Sequence, residues 1–384
     1  MPSNIRKIAV VIPKYGLVGG AEKFAFEMTE RLAYNHQYDI HVFANRWQSN
    51  SRVITFHKVP VINFPKFLTT ISFAYFAGRK ISSLGFDLIH AHDRIFDADI
   101  FTMHGLPHHT WVRDIRKKHM SLFDRGTQWV EKKLVNNERC NRFIAVSSLA
   151  KEIFLGEYDI TPEKIQVLHP GVDIERYGGR DREVCRQEVR HYFGLNANDM
   201  VIVFVAMNFD IKGLDYVMTA IGRFKELHPD RSMKLLIVGR DKEKKYKKLA
   251  RDLEISQDVI FTGVQKENIE KIYMASDIFM MLSRFDTFGI TVLEAMAASL
   301  PVIISDHVGA RDIVRNGING FIIEDNTDTK RIAQTIAILS DKKIRTKMAQ
   351  EAHITASNNS WDMVSRRMNE IYETFFKKLN RLKP

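Results

Sequence analysis

The stretch Ser283-Arg-Phe-Asp-Thr-Phe-Gly-Ile-Thr-Val-Leu-Glu294 decides the fold of this chain. The apolar run from Asp277 to Leu282 comes directly before it and predicts a buried strand. Gly289 then predicts a tight turn, and the apolar spacing that starts at Ile290 predicts a helix. A strand, a short turn and a helix make the repeating unit of parallel α/β sheets.

Two carboxylates flank this predicted turn, since Asp286 falls in the loop and Glu294 about one turn into the helix. The first N–H groups of a helix have no partner within it, so those of Gly289 to Thr291 can hold a phosphate or a sugar oxygen. Carboxylates suit sugar hydroxyls and backbone N–H groups suit phosphates, so the pattern favours a ligand that carries both. A helix-starting aspartate with a later glutamate also occurs widely without such a ligand, so other stretches must decide.

Length and composition predict a globular protein of two domains, because the chain has 384 residues, 45% of them hydrophobic and 27% charged. Its two cysteines, Cys140 and Cys185, lack the spacing of a metal site and favour a reducing compartment. The first predicted strand, near 8–12, is too short for the apolar core of a signal peptide, and no apolar run is long enough to cross a bilayer. We therefore expect a cytoplasmic protein. The net charge of +11 suits nucleic acid, an anionic membrane or an acidic substrate, and does not choose among them.

Short apolar runs alternate with helical patterns along almost the whole chain, which predicts two doubly wound parallel sheets. We expect one domain over residues 1–172 and a second over 181–360. The glycine-bearing stretch 171–180 is interpreted as the linker, and the last helix, 361–384, is expected to pack back on the first domain. Ligands bind beyond the carboxyl ends of such strands, so two facing domains would make one cleft. The predicted strands cover residues 7–12, 39–44, 53–57, 86–90, 99–103, 142–146, 165–168, 201–205, 234–238, 259–261, 278–282, 301–304 and 320–323.

Two stretches of the first domain are candidates for ligand contact. Gly19-Gly20 follow the first predicted strand and open a helix, where the backbone can approach an anion closely; a plain flexible turn is the alternative. His104 ends a predicted strand, where an imidazole can accept a proton or bond a hydroxyl, or can be a structural histidine. With His90 and His92 nearby a zinc or iron site is conceivable, but no glutamate or cysteine completes a familiar spacing.

The segment His109–Leu134 combines apolar residues at helical spacing with several lysines and arginines, and adds Trp111 and Trp129 near its ends. This pattern predicts a basic, aromatic, amphipathic helix that can lie in an anionic membrane interface. A solvated basic face over a domain core is the alternative.

In the second domain, Lys212 and Gly213 stand at the entry of the helix that follows the strand at 201–205. A lysine there can reach a diphosphate as a point charge. An ordinary surface lysine is the alternative.

Together these motifs resemble the family 4 retaining glycosyltransferases, whose order they follow over most of the chain. They are Gly19-Gly20, Ala145-Val-Ser-Ser148, His169-Pro-Gly-Val-Asp173, Lys212-Gly213, Val238-Gly-Arg-Asp241, Phe261-Thr-Gly263, the Asp286 to Glu294 spacing and Pro301-Val-Ile-Ile-Ser-Asp306. The resemblance implies the GT-B fold, an α/β architecture of two Rossmann-like doubly wound domains that face each other across a cleft. The first would be the acceptor side and the second would bind a nucleotide sugar. Within the family the chain is also similar to the lipopolysaccharide core glucosyltransferase I type, which has a basic membrane-contacting segment where 109–134 falls.

The resemblance implies donor contacts by residues of both domains. The resemblance assigns Gly20 and Lys212 to the diphosphate, Gly263 and Val264 to the base and Glu294 to the ribose. Asp286, with the backbone of Phe288 and Gly289, would hold the hydroxyls of the donor sugar, and His104 would lie beside that sugar. Further donor-binding candidates are Gly19, Gly213, Ile290 and Thr291, and the candidates for catalysis are His104, Lys212 and Asp286. Two positions depart from the family pattern: Met207 replaces the usual arginine, and Asp286 is shorter than the usual glutamate.

The implied reaction moves a hexose or a related sugar from a UDP- or GDP-linked donor to a saccharide acceptor, with retention and without a metal or cofactor. A membrane-bound acceptor such as lipopolysaccharide core is expected, with segment 109–134 holding the protein at the inner face of the cytoplasmic membrane. A soluble acceptor is the alternative. Two alternatives come from other functional classes, a sugar-nucleotide epimerase and a nucleic-acid-binding protein. No helix-turn-helix, RNP or zinc-finger signature occurs in the sequence, so we expect no nucleic acid partner.

Overall fold

The computed structural model describes residues 5–17, 19–34, 38–178, 180–265 and 267–381. The chain divides into two compact units. One unit comprises Met1–Gly171 with Trp361–Pro384, and the other comprises Val172–Ser360.

The first unit is built on a parallel sheet. Its strands are β1 (Arg6–Val11), β2 (Lys14–Tyr15), β3 (Tyr38–Ala44), β4 (Arg46–Trp47), β5 (Ile54–Lys58), β6 (Leu88–Ala91), β7 (Ile100–Met103), β8 (Arg142–Ala145) and β9 (Ile165–Val167). Seven of them form a sheet in the order β5-β3-β1-β6-β7-β8-β9, and β2 pairs with β4. The strand order reverses between β1 and β6, and the loops that leave these two strands diverge there.

Helices cover the faces of this sheet, so β6 and β7 are buried along their whole length. The helices are α1 (Gly20–Tyr34), α2 (Leu68–Ser82), α3 (His108–Thr110), α4 (Leu122–Val135) and α5 (Ser148–Glu157), with one π turn over Trp111–Ile115 and one 3₁₀ turn over Pro162–Lys164.

The prediction of one amphipathic helix over 109–134 is wrong. The helical run from α3 ends after the π turn, and α4 starts afresh behind Ser121, whose side chain accepts from the Asp124 N–H in a capping box. Lys117, between the two, has a positive φ of 49°. Val112 is fully buried, so part of the apolar stripe faces the core of the unit itself.

The second unit repeats the same architecture. Its elements are α6 (Glu175–Gly178), α7 (Arg182–Tyr192), β10 (Met200–Val205), α8 (Leu214–Leu227), β11 (Met233–Val238), α9 (Glu243–Asp252), β12 (Val259–Gly263), α10 (Ile269–Ala275), β13 (Ile278–Met281), α11 (Ile290–Ala297), β14 (Val302–Ser305), β15 (Gly320–Ile323), α12 (Thr329–Ser340) and α13 (Lys342–Ser357). The parallel sheet has the order β12-β11-β10-β13-β14-β15, so the order reverses between β10 and β13.

All thirteen predicted strands are confirmed, with end points that shift by at most two residues, and the fold class is confirmed as two Rossmann-like parallel sheets covered by helices. Residues 172–178 fall within the stretch 171–180 that was interpreted as the linker. These residues belong to the second unit, where the Arg176 guanidinium on α6 donates to the Glu270 carboxylate on α10 at 3.0 Å.

The last helix, α14 (Trp361–Arg381), belongs to the first unit. Trp361, Met368 and Tyr372 are fully buried in the core that also contains residues of β1, β3 and α1. Among the described residues, no helix is both long and apolar enough to span a bilayer.

Candidate functional site

The point where the strand order of the second sheet reverses brings two predicted site residues together. Lys212 lies in the loop after β10 and Asp286 in the loop after β13. The Lys212 ammonium donates to an Asp286 carboxylate oxygen at 2.5 Å, and the two side chains are 24% and 16% exposed. The carboxyl ends of adjacent parallel strands thus join a cation and an anion that are 74 residues apart in sequence.

Gly213 allows the Lys212 loop to lie this close to the loop after β13. Its φ is +72°, and a Cβ atom there would lie 1.8 Å from the Leu282 carbonyl oxygen. The Ile211 carbonyl accepts from the Arg284 N–H at 2.8 Å and from the Ser283 hydroxyl at 2.9 Å. Two hydrogen bonds to the backbone carbonyl of Ile211 therefore hold the two loops together.

The Arg284 side chain connects the loop after β13 to the first turn of α8. Its guanidinium donates to both carboxylate oxygens of Asp215, at 3.0 and 2.5 Å, and lies 4.4 Å from the ring centre of Tyr216 on α8. Neither Arg284 nor Asp215 was predicted as a site residue, although Arg284 stands two positions before Asp286 in the stretch that decides the fold.

The loop that carries Asp286 is also fixed by its backbone. The Asp286 N–H donates to the His307 carbonyl at 3.0 Å, and the Asp286 carbonyl accepts from Gly309 at 2.9 Å. The Phe288 N–H donates to the second carboxylate oxygen of Asp286 at 3.2 Å, and the Phe288 carbonyl accepts from Ala310 at 2.7 Å. One carboxylate oxygen of Asp286 therefore accepts from the Lys212 ammonium, and the other accepts from a backbone N–H of its own loop.

Gly289 starts the helix α11 beside this ion pair. Its φ is +87°, and a Cβ atom there would lie 3.0 Å from both Met281 Cε and Val308 Cγ1. Because α11 begins at Ile290, the N–H groups of Ile290 and Thr291 have no acceptor one turn earlier within the helix. The predicted strand, glycine turn and helix are confirmed at this point.

Glu294 lies one turn into α11, as predicted, and is partly exposed. The Tyr273 hydroxyl on α10 donates to a Glu294 carboxylate oxygen at 3.4 Å. Burial, and then the charge of Glu294, raise the pKa of Tyr273 well above 10. Burial and Glu294 also raise the pKa of Tyr177, whose buried hydroxyl has no hydrogen-bond partner among the described residues. Both phenols therefore stay protonated at pH 7, and the Tyr273 hydroxyl is the one that donates to Glu294.

Neither tyrosine was found from the sequence. Tyr273 falls at an apolar position of a helical pattern and is fully buried, so the pattern predicts a core residue and carries no signal of a carboxylate partner.

The two residues predicted for the base lie further along the same sheet edge. Gly263 ends the edge strand β12, two strands from β10, with a φ of +70° and open space where a Cβ atom would be. Val264 follows it and is 43% exposed. Met207, where the family pattern has an arginine, is 62% exposed in the loop after β10.

A pocket lies in the first unit, at the carboxyl ends of β1, β6 and β7, and has a volume of about 340 Å³. His104, Lys14, Glu22 and Arg94 are among the residues that line it. At the start of α1, Gly19 has a φ of +152°, and a Cβ atom there would lie 1.9 Å from the Glu22 carboxylate. Gly20 is the first residue of α1, and Val18, also in the predicted turn, lies outside the described residues.

His104 belongs to a stack of histidines at this pocket. One ring nitrogen of His104 lies 3.0 Å from one of His92, and the His90 and His92 ring centres are 4.1 Å apart. Burial lowers the pKa of His104 to about 3 and that of His92 well below 6.5. Both imidazoles are therefore neutral at pH 7 and bond through neutral nitrogens. Across the described part of the chain, no three His, Cys, Asp or Glu side chains are arranged to hold a metal ion.

A buried ion pair supports the loops around this pocket. The Arg94 guanidinium donates to one oxygen of Glu131 at 2.6 Å, and the Glu131 side chain is 1% exposed. The other oxygen accepts from the His108 N–H at 2.8 Å and from the Tyr158 hydroxyl at 2.6 Å. One carboxylate thus joins the loops after β6 and β7 to α4 and α5.

Two family models match the chain in succession and together cover most of it. The model described as Glycosyltransferase Family 4 matches residues 18–176, and the model described as Glycosyl transferases group 1 matches residues 186–355. The chain belongs to the family 4 glycosyltransferases. The two matches fall on the two units of the fold.

Two relatives named as glycosyltransferases differ in how much of their length aligns with this chain. A D-inositol 3-phosphate glycosyltransferase of Corynebacterium kroppenstedtii is 28% identical over 65% of this chain and 56% of its own length. An uncharacterised glycosyltransferase of Methanocaldococcus jannaschii is 26% identical over 98% of this chain and 100% of its own. The chain thus aligns with little more than half of the first relative and with the whole of the second.

Solved structures of GT-B glycosyltransferases share the fold. WaaG, a glycosyltransferase involved in lipopolysaccharide biosynthesis, superposes with a TM-score of 0.79 at 18% identity, over 95% of this chain and 99% of WaaG. Anabaena HepE in complex with UDP-glucose superposes with a TM-score of 0.72 at 16% identity, over 96% of this chain and 100% of HepE. The GT-B architecture predicted for this family 4 glycosyltransferase is confirmed.

Proposed function

We propose that this chain transfers a hexose or a related sugar from a nucleoside-diphosphate sugar to a saccharide acceptor, with retention of the anomeric configuration. The observation that carries the proposal is the pairing of Lys212 with Asp286 beside the start of α11. It assembles a cation, a carboxylate and helix N–H groups at the sheet edge where ligands of such folds bind. Family membership supports the same reaction class.

In the proposed complex, Lys212 changes its partner from Asp286 to the diphosphate of the donor. A diphosphate carries more negative charge than a carboxylate, so it competes with Asp286 for the Lys212 ammonium. When the diphosphate takes that ammonium, Asp286 becomes available to accept hydrogen bonds from the hydroxyls of the donor sugar. Glu294, one turn along α11, suits the ribose hydroxyls, and the Tyr273 hydroxyl holds its carboxylate in place.

Bond cleavage leaves negative charge on the β-phosphate, and this charge has to be stabilised in the transition state. Lys212 and the amide dipoles at the start of α11 supply positive potential from a fixed scaffold, so the proposed reaction is metal-independent. We assign Asp286 to orienting the sugar and not to attacking it. Retention then follows a same-face route, in which the leaving phosphate helps to take the proton of the acceptor hydroxyl. We also propose the donor contacts that the resemblance implies for Gly19, Gly20 and His104.

The acceptor we propose is a membrane-tethered saccharide such as lipopolysaccharide core, held at the inner face of the cytoplasmic membrane. Its support is the basic aromatic surface of 109–134, where Trp129 is 47% exposed and the Lys133 ammonium lies 5.9 Å from its ring centre. A soluble saccharide is the second candidate, because Val112 of the same segment is buried in the unit and not available to lipid.

A panel of UDP- and GDP-linked sugars tests the donor. A sugar nucleotide that binds the folded state raises the melting temperature by mass action, so we expect stabilisation by at least one member of the panel. UDP-glucose heads the panel because HepE is known in complex with it. No stabilisation by any member contradicts the proposal.

NMR of the anomeric proton in the product tests the stereochemistry. A retained configuration is expected, and an inverted one overturns the same-face route. Conversion of the donor without any acceptor would indicate the epimerase alternative, and a steeply salt-dependent shift of DNA would indicate the nucleic-acid alternative that the net charge of +11 allows.

A further inference from the structure

A loop of the first unit, which the sequence motifs do not mark, exposes an apolar tip. Residues 62–67, Ile-Asn-Phe-Pro-Lys-Phe, are all exposed, and they lead directly into α2. Phe64 is 90% exposed, and Ile62 and Phe67 are 42% and 36% exposed. A phenylalanine this exposed gains nothing from the fold of its own chain, so its surroundings indicate what it contacts.

The loop packs against the first turns of α4 and forms one surface with them. At Gly126 of α4, a Cβ atom would lie 3.0 Å from the Phe67 carbonyl oxygen. The Lys66 ammonium lies 5.3 Å from the ring centre of Phe123. Leu122, one turn before Gly126, is 69% exposed. Residues 62–67 with Leu122 and Phe123 are called the apolar tip below.

Positive charge predominates in the segments that carry the apolar tip, and the exposed carboxylate of Asp114 is bonded to the Arg113 guanidinium at 2.6 Å. Residues 40–86 contain no aspartate or glutamate, but they contain six lysines and arginines. On the α4 side, Lys117, Lys118 and Arg125 are exposed. The nearby carboxylate of Asp124 is buried and bonded to His108 at 3.0 Å and to Arg116 at 3.3 Å, so it does not offset them at the surface.

We propose that the apolar tip inserts into the interface of an anionic lipid bilayer. Aromatic and aliphatic side chains surrounded by lysines match the boundary between acyl chains and anionic headgroups, where the rings are buried and the ammonium groups contact phosphates. A stable protein–protein interface typically buries about 800 Å² per partner around a core depleted in charged residues, whereas the apolar side chains of the tip stand next to lysines. The inference rests on the proposed membrane-tethered acceptor but places the insertion in 62–67, outside the predicted segment 109–134.

Co-sedimentation of the full chain with vesicles tests this directly. The wild type is expected to bind vesicles that contain phosphatidylglycerol and to bind pure phosphatidylcholine vesicles weakly. Phe64→Ser is expected to weaken binding to the anionic vesicles by about tenfold or more, because it removes a side chain that would otherwise be buried in the interface. Lys66→Glu is expected to weaken binding most at low salt.

Tyr192→Ser is the matched control, since Tyr192 is 79% exposed but belongs to the second unit. The inference is overturned if Phe64→Ser binds anionic vesicles like the wild type, if Tyr192→Ser loses binding equally, or if the wild type binds no vesicles. It is also overturned if the chain self-associates without lipid and Phe64→Ser abolishes that association, because the tip then contacts a second copy.

A measurement of donor binding distinguishes failure of this inference from failure of the proposed function. Thermal stabilisation by the sugar nucleotide is expected to be the same in Phe64→Ser and in the wild type. Loss of vesicle binding with unchanged stabilisation supports the tip as a lipid contact. Loss of both in Phe64→Ser contradicts it, because the substitution then acts on the fold and not on a lipid contact.

Discussion

At the scale of single residues, the site depends on carboxylates and cations whose partners are already in place. Asp286 accepts from Lys212 at 2.5 Å and from the Phe288 N–H at 3.2 Å, while Glu294 accepts from Tyr273. The contacts with Phe288 and Tyr273 hold the two carboxylates in one orientation before a ligand arrives, which reduces the entropy lost on binding, whereas the contact with Lys212 is the one that the proposed diphosphate displaces.

Lys212→Ala is expected to lower kcat/KM by about a hundredfold or more, because it removes one fixed positive charge where the phosphate becomes more negative. The measurement is steady-state sugar transfer with purified variants. Lys225→Ala is the matched control, since Lys225 also pairs with an aspartate, Asp258. Asp258 lies at the amino end of β12, whereas the site lies at the carboxyl ends of the strands. Turnover near the wild-type rate in Lys212→Ala would refute the role of Lys212.

Glu294→Gln is expected to weaken the binding of a nucleoside diphosphate by about tenfold, because it replaces hydrogen bonds from hydroxyls to a charged acceptor with bonds to a neutral one. Isothermal titration calorimetry with the nucleoside diphosphate measures this affinity. Glu226→Gln, at an exposed ion pair on α8, is expected to change nothing. An unchanged affinity in Glu294→Gln would count against the ribose contact.

At the scale of elements, two glycines in the left-handed region set where α8 and α11 begin. Gly213 and Gly289 have φ values of +72° and +87°, and both abut other loops or strands. The helix starts therefore follow from backbone conformations that only glycine adopts at low cost.

Gly213→Ala is expected to lower the free energy of unfolding by more than the roughly 1–2 kcal/mol that the left-handed backbone alone costs. The added Cβ atom also meets the Leu282 carbonyl oxygen at 1.8 Å, so the Lys212 loop has to move. Urea denaturation measures the change. In Gly222→Ala, within α8, the new Cβ atom would lie 3.6 Å from Leu253, and no loss of stability is expected. Equal stability of the two variants would contradict this account.

The sequence was sufficient for the elements around Asp286 and Glu294, because an apolar strand, a glycine and a helical pattern follow one another without interruption. It was misleading for 109–134, since helical spacing does not reveal that Ser121 and Asp124 start a second helix. Contacts between segments that are distant in sequence could not be predicted from local sequence patterns. Tyr273 and Glu294 are 21 residues apart, and the local pattern of neither helix indicates that their side chains meet.

At the scale of the whole molecule, the first unit contains three neighbouring histidines that resist protonation, of which His90 and His92 are buried and His104 is partly exposed. Burial lowers the pKa of His90 and of His104 from 6.5 to about 3, and lowers that of His92 as well. In the unfolded chain these groups bind protons near pH 6.5. Below that pH the unfolded state binds more protons than the folded state, so stability falls as the pH drops from about 6.5 towards 3.

The melting temperature is therefore expected to fall between pH 7 and pH 5, and to fall less steeply in His104→Gln, which removes one of the three groups. Differential scanning calorimetry at several pH values measures both slopes. His119→Gln is the control, because His119 is exposed and is expected to leave the slope unchanged. A slope in His104→Gln equal to that of the wild type would show that His104 does not contribute.

The central claim is that the loops after β10 and β13 bind the diphosphate and the sugar of an activated donor. A crystal structure of the protein with an intact nucleoside-diphosphate sugar tests it most directly. We predict the diphosphate within hydrogen-bonding distance of Lys212 Nζ and the start of α11, the sugar hydroxyls on Asp286 and the ribose on Glu294. A donor bound elsewhere on the chain, with Lys212 still paired to Asp286, would contradict the account.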